Sequence, residues 1–214
     1  MKMREASTKI IYDVQSAFYD VTFARLVRKR IKQAIQHIDI KADDLVLDLG
    51  IGTGSALDYY PHEGKIVGVD LSTGMLRECV KRIKQQKREN VQILQANALQ
   101  LPFADDTFDR VFISHVITVV SEPGIVIREA QRVAKRGARI VLVNHFQSTN
   151  PAIAIIEKWL SPLCTKLGWR SDLALQDLVR ATGMQIDYRY KLDCLDLWET
   201  VVVSNNKSAL TVAA

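Results

Sequence analysis

Cysteine is scarce in this chain of 214 residues. Cys79, Cys164 and Cys194 stand far apart, with no Cys-x-x-Cys pair among them. That spacing excludes a disulfide framework and a zinc site, and it fits reduced thiols in a reducing compartment. No metal-ligand set is expected. Uninterrupted apolar runs of the roughly 18 residues needed to span a membrane are also missing. The opening Met1-Lys2-Met3-Arg4-Glu5 leads into no signal-peptide core. Repeats and low-complexity stretches are absent, apart from a small-polar tail over 205–214 that is expected to fray. What remains is a chain of ordinary globular composition, long enough to bury one sizeable core.

Negative charge is short at one end only. The net charge is +5. Residues 1–41 hold nine Lys/Arg against four Asp/Glu, whereas the remainder is balanced at twenty of each. All the excess therefore sits at the front, as a basic helical cap. It reads either as a solvated helix face or as a surface that meets anionic phosphates. Apolar residues recur at helical spacing from Ile10 to Ile38: Ile10, Ile11, Val14, Phe18 and Val21 on one face, then Phe23, Val27, Ile31, Ala34, Ile35 and Ile38 on another. Arg25, Arg28, Lys29 and Lys32 are interleaved with the second set, and Tyr19-Asp20 marks a joint between two helices. Such a basic amphipathic helix can lie in a membrane interface or pack on its own domain.

The organising stretch is Leu45-Val46-Leu47-Asp48-Leu49-Gly50-Ile51-Gly52-Thr53-Gly54. Its apolar run reads as a strand buried on both faces, and its three alternate glycines allow a sharp turn and close approach of backbone to a ligand. The next strand, Lys65 to Asp70, ends in an acid twenty residues after Gly50. A glycine loop followed by such an acid points to an adenosine-containing ligand, with the carboxylate on the ribose hydroxyls. The pattern is Gly-x-Gly-x-Gly, it lacks a phosphate-binding lysine, and it abuts Asp48. These details suit a cationic ligand without phosphates, such as S-adenosylmethionine.

Further strands are expected at Val91–Ala96, Phe108–Ser114 and Arg139–Val143, and a last hairpin at Gln185–Tyr190 and Leu197–Val203. Helices are expected at Ser55–Tyr60, Thr73–Lys87 with Ser72 as N-cap, Glu122–Ala134 closed by Gly137, Pro151–Lys166 and Leu173–Thr182. Five strands alternating with helices, then an antiparallel pair, predict an α/β doubly wound, seven-stranded, mostly parallel sheet over 42–204, with a helical insertion at about 151–170. Ligands of such sheets sit at the carboxyl ends of the strands. That rule gathers Gly50, Asp70, Asn97, Ser114 and His145 around one cleft.

This order of motifs resembles the class I S-adenosylmethionine-dependent methyltransferases, whose fold is Rossmann-like. The resemblance rests on Asp48 to Gly54, Gly68-Val69-Asp70-Leu71-Ser72 with Met75, Ala96-Asn97-Ala98 before Leu101-Pro102-Phe103, and Phe108-Asp109. A narrower resemblance is to bacterial phosphatidylethanolamine N-methyltransferases. It is carried by Tyr12 through Tyr19-Asp20 with Phe23, Thr53 to Tyr60-Pro61, Val143-Asn144-His145-Phe146 and Leu167-Gly168-Trp169-Arg170. Asn97 stands where many relatives carry Asp, Ala24 where Gly is usual, and Arg136-Gly137-Ala138 where a Pro-Gly-Gly turn is usual.

The resemblance implies a cofactor, S-adenosyl-L-methionine, leaving as S-adenosyl-L-homocysteine. It assigns cofactor contacts to Asp48, Gly50, Gly52, Gly54, Asp70, Leu71, Met75, Asn97, Ala98 and Ser114. It also implies an acceptor amine on a phospholipid, whose lone pair must be freed before transfer, because an alkylamine is almost wholly protonated at neutral pH. His145 is the candidate for orienting or deprotonating it, with Tyr19 closing the site. Tyr12, His115, Trp169 and Arg170 are candidate substrate contacts. A monomer at the cytoplasmic face of a membrane is expected, meeting an anionic surface through the basic N-terminal helices and using no nucleic acid. The rival readings are methylation of a quinone precursor or small amine, and a binding module without turnover.

Overall fold

The computed structural model describes residues 27–148, 150–166, 170–192 and 196–207. The helix expected over Ile10–Val21, the joint at Tyr19-Asp20, Phe23, Ala24 and Arg25 lie outside them.

One sheet of seven strands organises the molecule. In chain order they are β1 (Leu45–Leu49), β2 (Lys65–Asp70), β3 (Val91–Gln95), β4 (Phe108–Ser114), β5 (Ala134–His145), β6 (Ile186–Tyr190) and β7 (Trp198–Ser204). Their spatial order is β3-β2-β1-β4-β5-β7-β6. The first five are parallel, and β7 runs antiparallel to both its neighbours. The sheet is the Rossmann-like one that the sequence predicts. From β1 the chain winds outward to β2 and β3, then jumps back to β4 on the other side of β1. The loops leaving β1 and β4 therefore part from each other, and a crevice opens between them.

The strands bury alternate residues in two layers. Leu47 and Leu49 of β1 and Val111 and Ile113 of β4 face α3 (Pro123–Val133) and α5 (Leu175–Thr182). Val46 and Phe112 face the opposite layer, formed by α1 (27–38) and α2 (Thr73–Gln85). Asp48 shares the parity of Val46, so period-two alternation turns it toward α1 and α2. Helix α1 supplies Val27, Ile31, Ala34, Ile35 and Ile38 to this layer, all buried. Ser72 caps α2, its hydroxyl accepting the Met75 N–H at 3.1 Å. A four-residue 3₁₀ turn, Ser55–Asp58, follows the glycine loop.

Two expectations about the chain beyond α3 change. Gly137 does not close that helix. The helix ends at Val133, and β5 begins at once, seven residues longer than Arg139–Val143 would make it. Gly137 adopts φ +76° inside the strand, where the pairing with β4 slips between Phe108 and Arg110. The physical cause is Asn205, whose side chain donates to the carbonyls of Gln131, Ala134 and Lys135 while its backbone pairs with Gly137 and Ala138. Hence Asn205 is buried, and Lys207 is bonded to Asp106, so the expected tail does not begin at 205.

Helix α4 (Pro151–Lys166) turns its apolar residues outward. Among its described side chains Ser161 is buried, and Ala154, Glu157 and Cys164, at the same helical spacing, are partly covered. Its large apolar residues Ile153, Ile155, Ile156, Trp159 and Leu160 are exposed, Trp159 to 80%.

Candidate active site

The turn after β1 is held by its own backbone. The Gly50 and Ile51 N–H groups both donate to the Val69 carbonyl, at 2.7 and 3.0 Å, and Gly54 donates to Ile51. Gly50, Gly52 and Gly54 all take positive φ, a region in which L side chains are strained. Their reasons differ. A Cβ on Gly50 would lie 2.0 Å from Val116, and one on Gly54 would lie 2.9 Å from both Cys79 and Leu57. At Gly52 the nearest atom would be the Gly50 carbonyl, at 3.9 Å, so its side opens onto space.

That space is a cavity between the loops after β1 and β4, lined also by α1 and the ends of β2 and β3. Asp70, at the tip of β2, accepts the Gly52 N–H at 3.0 Å and the Ser72 N–H at 2.8 Å. It ties the glycine loop to the start of α2 and keeps lone pairs for another donor. Asn97 forms an Asx turn, its side-chain oxygen accepting the Leu99 N–H at 2.9 Å. Asp48 lies at the bottom of the loop, fully buried. Burial pushes its carboxyl up to about 7, Asp70 adds to the rise, and the neighbouring Tyr60 hydroxyl opposes it. Asp48 Oδ2 and Ser114 Oγ are buried without a hydrogen-bond partner among the described residues, and both residues line the cavity.

The wall from β4 is different in character. His115 takes φ +59°, uncommon for a residue with a side chain and of the kind found at functional sites. Burial, reinforced by the Arg30 charge, drops its imidazole to about 3, so the ring is neutral in the physiological range. Val116, Val119 and Val120 continue this wall, and Val27 and Ile31 of α1 add to it. One cavity thus combines carboxylates and backbone amides with an apolar lining.

The motif at the end of β5 works as a junction. Asn144 donates to Thr118 Oγ1 at 3.1 Å, and Phe146 is buried in the core facing α3. His145 Nδ1 lies 2.7 Å from the Leu197 carbonyl, which can only accept, so this nitrogen carries the proton. Its Nε2 faces Glu157 Oε1 of α4 at 3.5 Å. Glu157 also accepts the Ser148 N–H, and its carbonyl accepts the Ser171 hydroxyl. The inner stripe of α4 is therefore polar because it is the fastening of that helix to the sheet.

The sequence agrees with the geometry. Residues 47–142 match the methyltransferase domain family. Over 171 residues the chain is 34% identical to phosphatidylethanolamine N-methyltransferase of Cereibacter sphaeroides, covering 79% of this chain and 84% of that protein. The chain belongs to the S-adenosylmethionine-dependent methyltransferases. It is also 32% identical over 163 residues to demethylmenaquinone methyltransferase of Thermobifida fusca, covering 75% of this chain and 65% of that protein. The fold matches geranyl diphosphate C-methyltransferase of Streptomyces coelicolor, solved with S-adenosyl-L-homocysteine, at a TM-score of 0.72 and 15% identity, over 85% of this chain and 77% of that one.

The lining suits the methyltransferase cofactor. The partnerless oxygen of Asp48 can meet an ammonium, Asp70 can accept from ribose hydroxyls, and Leu71, Met75 and Ala98 offer an apolar slot for an adenine. Nine of the ten residues expected around the cofactor line the cavity: Asp48, Gly50, Gly52, Asp70, Leu71, Met75, Asn97, Ala98 and Ser114. Gly54 stands behind the loop, against Cys79 and Leu57. Among the expected substrate contacts, His115 lines the cavity. His145 does not; Nδ1 faces the Leu197 carbonyl beside β7, and Nε2 faces Glu157 of α4. Arg170 pairs with Asp172, and its backbone N–H donates to Thr118 in the loop after β4. Tyr12, Tyr19 and Trp169 lie outside the described residues.

Sequence reasoning missed three parts of the methyltransferase site. The Val116–Val120 wall has no motif, although its valines follow a predicted strand end. Gly68 enters the sequence reading only as the start of the Gly68–Ser72 motif, with no role assigned, yet a Cβ there would lie 2.3 Å from Ile51 of the loop. Arg30, absent from the cations singled out in the first helix, reaches across to the terminal hairpin.

Proposed function

We propose that this methyltransferase transfers a methyl group to the amine of phosphatidylethanolamine, its mono- and dimethyl forms, or both, towards phosphatidylcholine. The observation that carries the reading is the similarity to the Cereibacter enzyme, which extends over 84% of that protein and beyond the cofactor half. Two features of the chain support it. Apolar residues of α1 and of the segment after β4 line the same cavity as the carboxylates. Helix α4 turns its isoleucines and Trp159 outward, an arrangement suited to the interface of a bilayer. No helix among the described residues is long and apolar enough to cross a membrane, so contact would be peripheral. The positive charge concentrated in residues 1–41 would favour an anionic surface, at about 1 kcal/mol for each Lys or Arg near it.

The cofactor supplies an electrophilic methyl group on a sulfonium. The chain supplies position, water exclusion and a place for the acceptor's protons. Asp48 and Asp70 hold the donor. Burial keeps His115 neutral, so it adds no positive charge where a sulfonium and an amine must meet. Ser114 Oγ can accept from the amine N–H. His145 enters this reading through Glu157, as the residue that sets α4 against the end of β5, and Tyr19 is proposed to close the site.

A second reading, methylation of a quinone precursor, is favoured by the Thermobifida relative. Labelled cofactor incubated with vesicles of phosphatidylethanolamine or its monomethyl and dimethyl forms, and separately with a demethylated quinone, distinguishes the two. Label is expected in the phospholipid fraction. Label in the quinone alone overturns the phospholipid reading, and turnover of neither acceptor, with cofactor bound, leaves a binding module.

A further inference from the structure

Helix α1 borders the cavity and is tied down on both of its flanks. At 3.6 residues per turn, Val27 and Ile31 lie about 40° apart, and Arg28 and Arg30 lie about 80° to either side of them. Val27 and Ile31 are buried and line the cavity. Arg28 Nε donates to the Tyr59 hydroxyl at 2.5 Å, just past the 3₁₀ turn that follows the glycine loop. On the other side, Arg30 Nε lies 2.7 and 2.9 Å from the two Asp196 oxygens, and Nη2 lies 2.6 Å from Oδ1. The Arg30 guanidinium also sits 4.6 Å over the Trp198 ring, whose neighbour in edge contact is the cavity residue His115.

The fastenings are unequal. The Arg28 side chain is 65% exposed, and such surface contacts contribute little. Arg30 is 14% exposed and Asp196 1%, and Asp196 is further fixed by the N–H groups of Leu192 and Trp198. Removing one partner of so buried a pair leaves a charge uncompensated, which is costly. Farther along, α1 is anchored through Ala34, Ile35 and Ile38 in the core and by Arg139, which donates to the His37 carbonyl. The segment carrying Val27 to Ile31 is therefore the part whose hold depends on the two arginines.

We infer that α1 is a strap over the cofactor cavity, and that the Arg30–Asp196 pair, stacked on Trp198, is the latch that sets how fast cofactor and product exchange. Arg30, Asp196 and, more weakly, Arg28 are positioning residues. They act through the helix and touch no reacting atom. The inference does not depend on which acceptor is methylated.

The test is stopped-flow measurement of S-adenosyl-L-homocysteine association and dissociation with the full chain and its Arg30→Ala, Arg30→Lys, Asp196→Asn and Arg28→Ala variants. A latch that opens raises both rates together. Arg30→Ala and Asp196→Asn are expected to raise association and dissociation at least about tenfold while the dissociation constant moves less than about threefold. Arg30→Lys, which keeps the charge but loses the fork and the stacking, falls between, and Arg28→Ala changes either rate less than about threefold. Faster dissociation with unchanged or slower association overturns the inference, since that marks damage to the site. Unchanged rates overturn it equally. Should Arg30→Ala fail to fold, the near-isosteric Asp196→Asn decides.

Discussion

The two halves of the crevice are built by different means. On the β1–β2 side, the structure is built from backbone and from residues adjacent in sequence: Gly50 to Gly54, and Asp70 two residues before the Ser72 cap. On the β4–β5 side, it is built from side chains that meet from separate elements, such as His145 with Glu157 and Leu197, Asn144 with Thr118, and Arg30 with Asp196. A backbone-built donor site has little freedom to change, because each glycine answers a steric demand. A wall built from side chains can vary residue by residue. This contrast fits two relatives that are both methyltransferases and are named for different acceptors.

The comparison predicts that damage on the donor side strikes stability and cofactor together. Gly50→Ala places a Cβ 2.0 Å from Val116 at φ +81° and is expected to destabilise the fold by about 2–4 kcal/mol, read by denaturant unfolding. Asp70→Ala removes a charged acceptor and two loop contacts. Calorimetry with S-adenosyl-L-homocysteine should then show affinity falling by roughly 10–150-fold. On the acceptor side, His145→Ala and Glu157→Gln are expected to lower methyl transfer while cofactor affinity stays within about threefold. An equal fall in cofactor affinity would erase the distinction between the halves.

A subtler prediction concerns pH. Asp48, raised to about 7, binds more protons folded than unfolded, so its contribution to stability falls as pH rises from about 4 to about 7. His115, lowered to about 3, binds fewer protons folded, so its contribution rises with pH between about 3 and 6.5. In the cofactor-free chain the two slopes oppose each other. Thermal unfolding of Asp48→Asn should therefore gain stability with pH across this window relative to the parent, and His115→Gln should lose it. Parallel curves for parent and variants would refute both assignments. The smallest effect is expected at Trp159. Trp159→Ser should change stability by less than about 0.5 kcal/mol, because the ring is 80% exposed, while lowering sedimentation with anionic vesicles.

Legibility in the sequence follows the same division. The glycine loop, Asp70, Ser72 and the alternation of strands and helices are local patterns, and all of them fall where their spacing predicts. Gly137 misled because a glycine after a helix usually ends it. Here the answer lay in Asn205, some seventy residues away. The apolar periodicity of α4 does not say whether that face packs on the domain or meets a membrane. The structure turns it outward, and the covered stripe is the one carrying Glu157 and Ser161, chosen by partners at His145, Ser148 and Ser171.

By itself, then, the sequence determined the sheet and the cofactor class, and it named nine residues that the fold gathers around one cavity, because steric demands and capping act within a few positions of the residues that make them. Only the tertiary structure decided that His145 faces Glu157, that α4 is turned apolar side out, and that Arg30 reaches Asp196. Those contacts join separate elements, from 12 positions apart for His145 and Glu157 to 166 for Arg30 and Asp196, and no local pattern encodes which of several chemically suitable partners a side chain meets.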